Sequence, residues 1–176
     1  MRLATLAVVL TPFGAFAAGS ADPKPPAPTE TTENCPEGQI WDLATQSCMS
    51  PEDSTNDDSA RLDDVRALAY RGHYAAAFDI LNSITDTDDS LVLTYYGFLH
   101  RQTGDIARGM AFYDAALAQD ANNLLARSYM GQGHVTSGRM ALAQTQLVEI
   151  RIRGGRGSWS ETSLAQAIET GATVNY

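Results

Sequence analysis

The sequence predicts an all-helical chain built as a solenoid of repeats, and three observations carry that expectation. Two stretches register on each other with a shift of 34 residues: Gly97, His100 and Gly104 in the run from Leu93 recur as Gly131, His134 and Gly138 in the run from Arg127. A fixed period of that size marks units too small to bury their own apolar stripes, which therefore stack on their neighbours. From Ala60 onward the apolar residues fall at helical spacing. Glycines separate the periodic segments at the points where a left-handed residue ends a helix.

At the front, Arg2 precedes the apolar run Leu3 to Leu10, Pro12 and Gly14 interrupt it, and Ala15-Phe16-Ala17 has the small-x-small pattern of a cleavage site. Residues 1–17 thus read as a secretory signal peptide, with the mature chain starting at Ala18. The run is shorter than the ~20 apolar residues a membrane span needs, and no later segment reaches that length. The expected location is periplasmic or secreted, with no membrane insertion after cleavage. In such an oxidising space the two cysteines, Cys35 and Cys48, are expected to form a disulfide. Zinc would need two more ligands, and His73, His100 and His134 lie far downstream. There is no Cys-x-x-Cys, which disfavours redox catalysis.

Charge divides the chain. Residues 18–60 carry one basic side chain, Lys24, against nine acidic ones, whereas residues 61–176 have ten arginines and twelve acids. Duplex nucleic acid and anionic membranes are poor partners for such a chain, because both require clustered positive charge. Residues 18–59, rich in Pro, Thr and acids, are expected to be a disordered linker containing one disulfide loop, 35–48. Within that loop Pro36 to Gly38 is a turn signal, and Ile40, Trp41 and Leu43 are the apolar groups.

Helical spacing then gives Leu62, Val65, Leu68 and Ala69 on one helix and Ala76, Ala77, Ile80, Leu81 and Ile84 on its partner, with Gly72 between. The pattern returns as Leu91 to Gln102, Gly104 and Ile106 to Leu117, and again as Leu124 to Thr136, Gly138 and Met140 to Ile152. Units of about 60–89, 90–123 and 124–153 result, spanning 60–153. A further helix over 158–170 would cover the end of the stack, with Ser160 as its N-cap and Trp159 and Leu164 as a hydrophobic staple. The paired acids Asp63-Asp64 and Asp88-Asp89 read as helix starts.

These residues resemble the tetratricopeptide repeat, a 34-residue helix-turn-helix whose two helices touch through small side chains. Unit two matches best, with Gly97, Gly104, Gly109, Tyr113 and Ala116 at the pattern positions. Unit three has Gly131, Gly138, Ala143, Leu147 and Ile150 there, and unit one is degenerate. The resemblance covers about 95 of the 176 residues. It implies a right-handed superhelical stack of three units plus the capping helix, with Gly97, Gly104, Gly109, Ala116, Gly131, Gly138 and Ala143 serving the packing. It also implies a ligand groove along the first helix of each pair, at Arg66, Tyr70, Thr94, Phe98, Arg101, Gln102, Ser128 and Gln132. Arginine, aromatic and amide groups in that mixture suit an extended peptide, with Arg66 and Arg101 available for acidic groups. The alternative is a set of ordinary solvated helix residues. Leu62 and Tyr95 stand where some members of the family carry clamp residues for a C-terminal carboxylate, which disfavours a chaperone-tail receptor.

Recurrence tempts a metal reading of His100 and His134, but equivalent positions in adjacent repeats stand too far apart for the ~2 Å bonds zinc requires. Arg151, Arg153 and Arg156 cluster at a helix end, where the helix dipole accounts for at least the first two. A docking patch for an acidic partner, including the protein's own leader, is the other reading. Catalytic motifs are absent: no Gly-x-Ser-x-Gly, phosphate loop or His-Glu-x-x-His occurs. The expected function is a non-catalytic adaptor that binds a protein or peptide partner, without cofactor or metal. One alternative is a cell-wall or carbohydrate-associated protein using Trp41 and its loop, and another is a homo-oligomerising structural unit.

Overall fold

The computed structural model describes residues 25–173, so the expected signal peptide, 1–17, and the expected mature start at Ala18 lie outside the described residues. Those residues form eight helices and one two-stranded antiparallel hairpin. A short helix α1 (Glu30–Asn34) and the strands β1 (Ile40–Asp42) and β2 (Ser47–Met49) come first. Seven longer helices follow: α2 (Asp58–Tyr70), α3 (Tyr74–Asn82), α4 (Ser90–Gln102), α5 (Ile106–Gln119), α6 (Leu124–Thr136), α7 (Met140–Ile152) and α8 (Trp159–Thr170).

Helices α2 and α3, α4 and α5, and α6 and α7 pack as consecutive pairs. Each pair is joined by three residues. The turns repeat one chemistry at the 34-residue shift: Gly104 and Gly138 take φ of +97° and +69°. In each, the residue after the glycine returns a backbone hydrogen bond to the preceding helix, Asp105 to His100 and Arg139 to His134, both 2.8 Å. A side chain is strained at such φ, which is why glycine recurs there. Helices α2, α4, α6 and α8 form a row in which each touches the next, and α3, α5 and α7 each pack against the following row member.

Within the middle pair, Gly97 and Gly109 allow a close crossing. A Cβ on Gly97 would stand 2.5 Å from the buried Tyr113 ring, and one on Gly109 would stand 2.7 Å from the Gly97 carbonyl oxygen. Gly131 serves a different contact, since a Cβ there would meet Leu164 of α8 at 2.6 Å. Five of the longer helices have a side-chain N-cap, at Asp57, Asp89, Asp105, Asn123 and Ser158. Three expectations change accordingly. Asp63 and Asp64 lie inside α2, one turn past its start. Ser158 replaces Ser160 as the cap of α8, because its hydroxyl accepts the Glu161 N–H while the Glu161 carboxylate accepts the Gly157 N–H at 2.6 Å. Ser160 is buried inside the helix, and Leu164 packs on Gly131.

The largest correction concerns the leader. Residues 18–59 were expected to be disordered, whereas from α1 onward this region folds onto α2. Thr29 caps α1 reciprocally with Thr32. Thr31 then donates to the Asp64 carboxylate of α2 at 2.8 Å, and Arg71 reaches the Thr32 carbonyl at 2.8 Å and the Glu33 carboxylate at 3.1 Å. Cys35 and Cys48 are joined, and Ile40 enters the same apolar cluster as Val65, Leu68 and Leu99. Polar side chains supply the order that apolar content could not. Asp42, with no exposed surface, accepts the backbone N–H groups of Ala44, Thr45 and Thr55 and the hydroxyls of Thr45, Ser54 and Thr55. The Thr45 and Thr55 amides hold its carboxyl well below the usual carboxylate range. From α2, the buried Arg61 donates to the carbonyls of Pro51, Ser54 and Asn56 at 2.8, 2.7 and 3.0 Å, and to the Ser83 hydroxyl.

Asp64 gives this junction a pH dependence. Burial pushes its carboxyl up, the Thr29 and Thr31 hydroxyls pull it back, and Asp63 adds to the rise. A raised folded-state pKa contributes stability that is complete below the ordinary aspartate value and is lost as pH rises through the folded value. Asp64→Asn keeps an acceptor for Thr31 and removes this loss. We expect the variant to melt a few degrees above the parent at neutral pH, the gap closing near pH of about 4. Thermal melts at the two pH values check this, and a gap independent of pH refutes it.

Candidate functional site

The row α2, α4, α6 carries the residues expected to line a groove, and the structure sorts them into two groups. The first is committed to holding helices together. Thr94 and Ser90 of α4 accept from the Asn123 side-chain amide at 3.0 and 2.7 Å, while Asn123 Oδ1 caps α6 through the Ala126 N–H. Ser128 shares a hydrogen bond with Ser163 of α8 at 3.0 Å, and Gln132 donates to Ser128 at 3.4 Å. Thr94, Ser128 and Gln132 are fully or almost fully buried, so none is open lining; Thr94 and Ser128 are seams between helices, and Gln132 is held within α6. Asn123 is the residue sequence reasoning missed. Its signal was present, because it stands 34 positions after Asp89, the cap of α4, and so occupies the same place in the next unit.

The second group converges. Tyr70 of α2 stacks on Phe98 of α4 with ring centroids 5.3 Å apart, and Tyr129 of α6 lies 4.8 Å from Phe98. The Tyr70 and Tyr129 hydroxyls share a 2.8 Å hydrogen bond. The Arg101 guanidinium lies over the Phe98 ring at 5.4 Å, and its Nε donates to the Tyr113 hydroxyl at 3.4 Å. Burial raises the Tyr70 hydroxyl pKa, while hydrogen bonds with Tyr129 and Trp159 and the charges of Arg66 and Arg101 act against the rise.

Donors exceed acceptors here. Arg66 Nε and Nη2, Arg101 Nη2 and Gln102 Nε2 are out of contact with solvent and have no hydrogen-bond partner among the described residues. Nor is either arginine within 4.0 Å of a carboxylate among those residues. Four other arginines do have carboxylates: Arg71 with Glu33, Arg127 and Arg153 with Glu149, and Arg151 with Glu161 at 2.6 Å. Of the cluster Arg151, Arg153 and Arg156, the first two thus pair with carboxylates of the stack itself.

His100 belongs to a half-buried aromatic group with Phe78, Tyr96 and Phe112, its ring 5.1 Å from Phe78 and 5.4 Å from Phe112. Burial and then the Arg108 charge lower its pKa. His134 is buried, and burial lowers its pKa likewise. Among the described residues no group of three or more His, Cys, Asp or Glu is placed to hold a metal ion, and no helix is long and apolar enough to cross a membrane.

Trp41 pairs across the hairpin with Cys48, half-buried. It lines a cavity of about 170 Å³ between the hairpin and α2, together with Leu43, Asn56, Asp63 and Asp64.

No family model matches this chain. Neither a curated protein nor a solved structure matches it either.

Proposed function

We propose that this chain is a non-catalytic adaptor of tetratricopeptide type, exported from the cytoplasm, that takes a peptide or helix of a protein partner along the α2–α4 face. The observation that carries the reading is the convergence of Tyr70, Phe98 and Arg101 across α2 and α4, with donors of Arg66, Arg101 and Gln102 left unmatched among the described residues. Aromatic rings with few rotatable bonds and guanidinium groups are the side chains that dominate protein-protein binding energies. In support of the repeat assignment stand the recurring turn at Gly104 and Gly138 and the close crossing at Gly97 and Gly109. A right-handed superhelix of three units, capped by α8, is the architecture this implies. Export is consistent with the Cys35–Cys48 disulfide.

The test is a photo-crosslinking residue at Gln102, compared with one at the exposed Leu142 of α7, in extracytoplasmic extract. A specific protein product from position 102 alone is expected. Products from both positions alike, or from neither, overturn the groove reading. Phe98 is unsuitable for truncation because its ring, 2% exposed, is part of the core.

A second reading has its own observation, the Trp41 cavity. There the protein would hold a glycan, with the indole stacking on a sugar ring. Retention on insoluble cell-wall polysaccharide, lost in Trp41→Ala, would favour it.

A further inference from the structure

The cavity between the hairpin and α2 has walls of two kinds. One is apolar, formed by the half-buried Trp41 and by Leu43, a large apolar side chain left 61% exposed. The other is negative, formed by Glu30, Asp63 and Asp64. No basic side chain lines the cavity, and among the described residues none comes within 4.0 Å of these three carboxylates. Glu30, Leu43 and Asp63 are exposed, so the cavity, of about 170 Å³, opens at the surface and has room for roughly five waters. Its walls are held in place by the fold. Asn56 accepts from the Leu43 N–H at 2.9 Å and donates to the Trp41 carbonyl at 2.8 Å, fixing the backbone on either side of Asp42. The Thr31 hydroxyl accepts from the Trp41 N–H at 2.9 Å and donates to the Asp64 carboxylate at 2.8 Å, so one oxygen ties the apolar wall to the most buried carboxylate. Asp64, 5% exposed, meets the hydroxyls of Thr29 and Thr31 but no compensating cation among the described residues. A buried carboxylate in that state is costly, and costs of that kind collect at functional sites.

We infer that this cavity binds an organic cation, an ammonium or guanidinium group carried on an apolar stem. The indole of Trp41 is the best aromatic partner for a cation. Leu43 at the rim meets the stem, and Glu30, Asp63 and Asp64 supply the opposite charge. Residues 18–60, with nine acids against one base, draw cations toward this part of the chain. Among the described residues no three His, Cys, Asp or Glu are placed to hold a metal ion, so this negative wall beside an indole lacks the ligand set a bare metal requires. A neutral sugar in the same place could use the indole and donate hydroxyls, but it would leave three negative charges uncompensated. The inference does not depend on the groove reading, which stands or falls on the α2–α4 face.

The probes are n-butylamine and butylguanidinium, with 1-butanol as the neutral match, added to the purified protein at constant ionic strength. Backbone amide shifts of residues 29–31, 41–43, 56 and 60–64 should saturate with either cation and stay unmoved with butanol. Affinity should fall about fivefold in Trp41→Ala and in Asp64→Asn. Asp64→Asn is expected to melt above the parent at neutral pH, so a loss of binding there cannot be a loss of fold. If Trp41→Ala does not fold, Asp63→Asn, at an exposed position, should weaken binding in its place. A twelve-residue Gly-Ser peptide with one central lysine, compared with its Nε-acetyl form, separates the sources of the cation. Binding of the lysine peptide more tightly than butylamine supports the site and identifies a protein side chain as its ligand. Binding no tighter than butylamine supports the site and identifies a free amine. Four results overturn the inference: no saturable shift with either cation, an equal response to butanol, shifts reproduced by potassium chloride at the same concentration, or affinities unchanged in the variants. Saturation of these amides by a neutral oligosaccharide, with none by either cation, overturns it in favour of the glycan reading.

Discussion

Replacing Arg61 with methionine is expected to cost about 2–4 kcal/mol, because two buried carbonyls and a part-buried one lose their donor at once while the apolar stem is kept. Those carbonyls, on Pro51, Ser54 and Asn56, belong to the chain that connects the hairpin to α2, and the Ser83 hydroxyl at the end of α3 is the fourth partner. Arg61 therefore ties three parts of the molecule together from one helix position. The variant should melt lower by about 5–12 °C, and the amides of residues 40–56 should exchange with solvent much faster than those of α4 to α7. Arg71→Met is the comparison. Its partners, Glu33 and the Thr32 carbonyl, are at an exposed site, where an ion pair is worth about 0–1 kcal/mol. Equal losses in the two variants would refute the assignment of Arg61 as the clasp of the N-terminal island.

Gly109→Ala should be nearly as damaging, at about 3 kcal/mol, although alanine is the better helix former by about 1 kcal/mol. The added methyl would stand 2.7 Å from the Gly97 carbonyl oxygen and 3.0 Å from the Arg101 nitrogen, both backbone atoms of α4. Neither can rotate away, so α4 and α5 would have to separate and the Tyr113 ring between them would lose its packing. Gly133→Ala provides the contrast. A methyl there meets Met110 Sδ at 2.9 Å and Arg101 Cδ at 3.2 Å, both on flexible side chains that can shift. Its effect should stay within about 1 kcal/mol, with the gain in helix propensity offsetting the adjustment. Chemical denaturation of both variants reads the difference directly. A Gly109→Ala protein as stable as the parent would mean that the 34-residue register has been aligned on the wrong residue.

Much of the helical stack was legible because its signals are local and periodic. Gly104 and Gly138 announce turns through a backbone geometry that glycine tolerates best, and the apolar spacing in between is a property of single helices. The residues expected to line a groove were only partly legible as a group. Phe98, Tyr70 and Arg101 do come together, whereas Thr94 and Ser128 close seams between helices and Gln132 bonds within its own helix. Nothing in one helix tells which way a small polar side chain will be satisfied, since its partner lies 29 or 35 residues away. The N-terminal island was misread for a related reason. Composition measures how much apolar surface a segment can bury, and this one has little. It does not measure how many hydrogen bonds one aspartate and one arginine can collect.

By itself the sequence determined the helical class, the repeat period, the positions of the turns and the cysteine pair, because each depends on backbone preference, on spacing along the chain or on there being only two candidates. Tertiary structure alone decided that residues 29–57 fold onto α2, that Gly131 receives Leu164 of α8, and that Arg66, Arg101 and Gln102 are left with unmatched donors among the described residues. Those outcomes depend on which groups meet across many residues of chain, and on which polar atoms remain after every nearer partner has been taken.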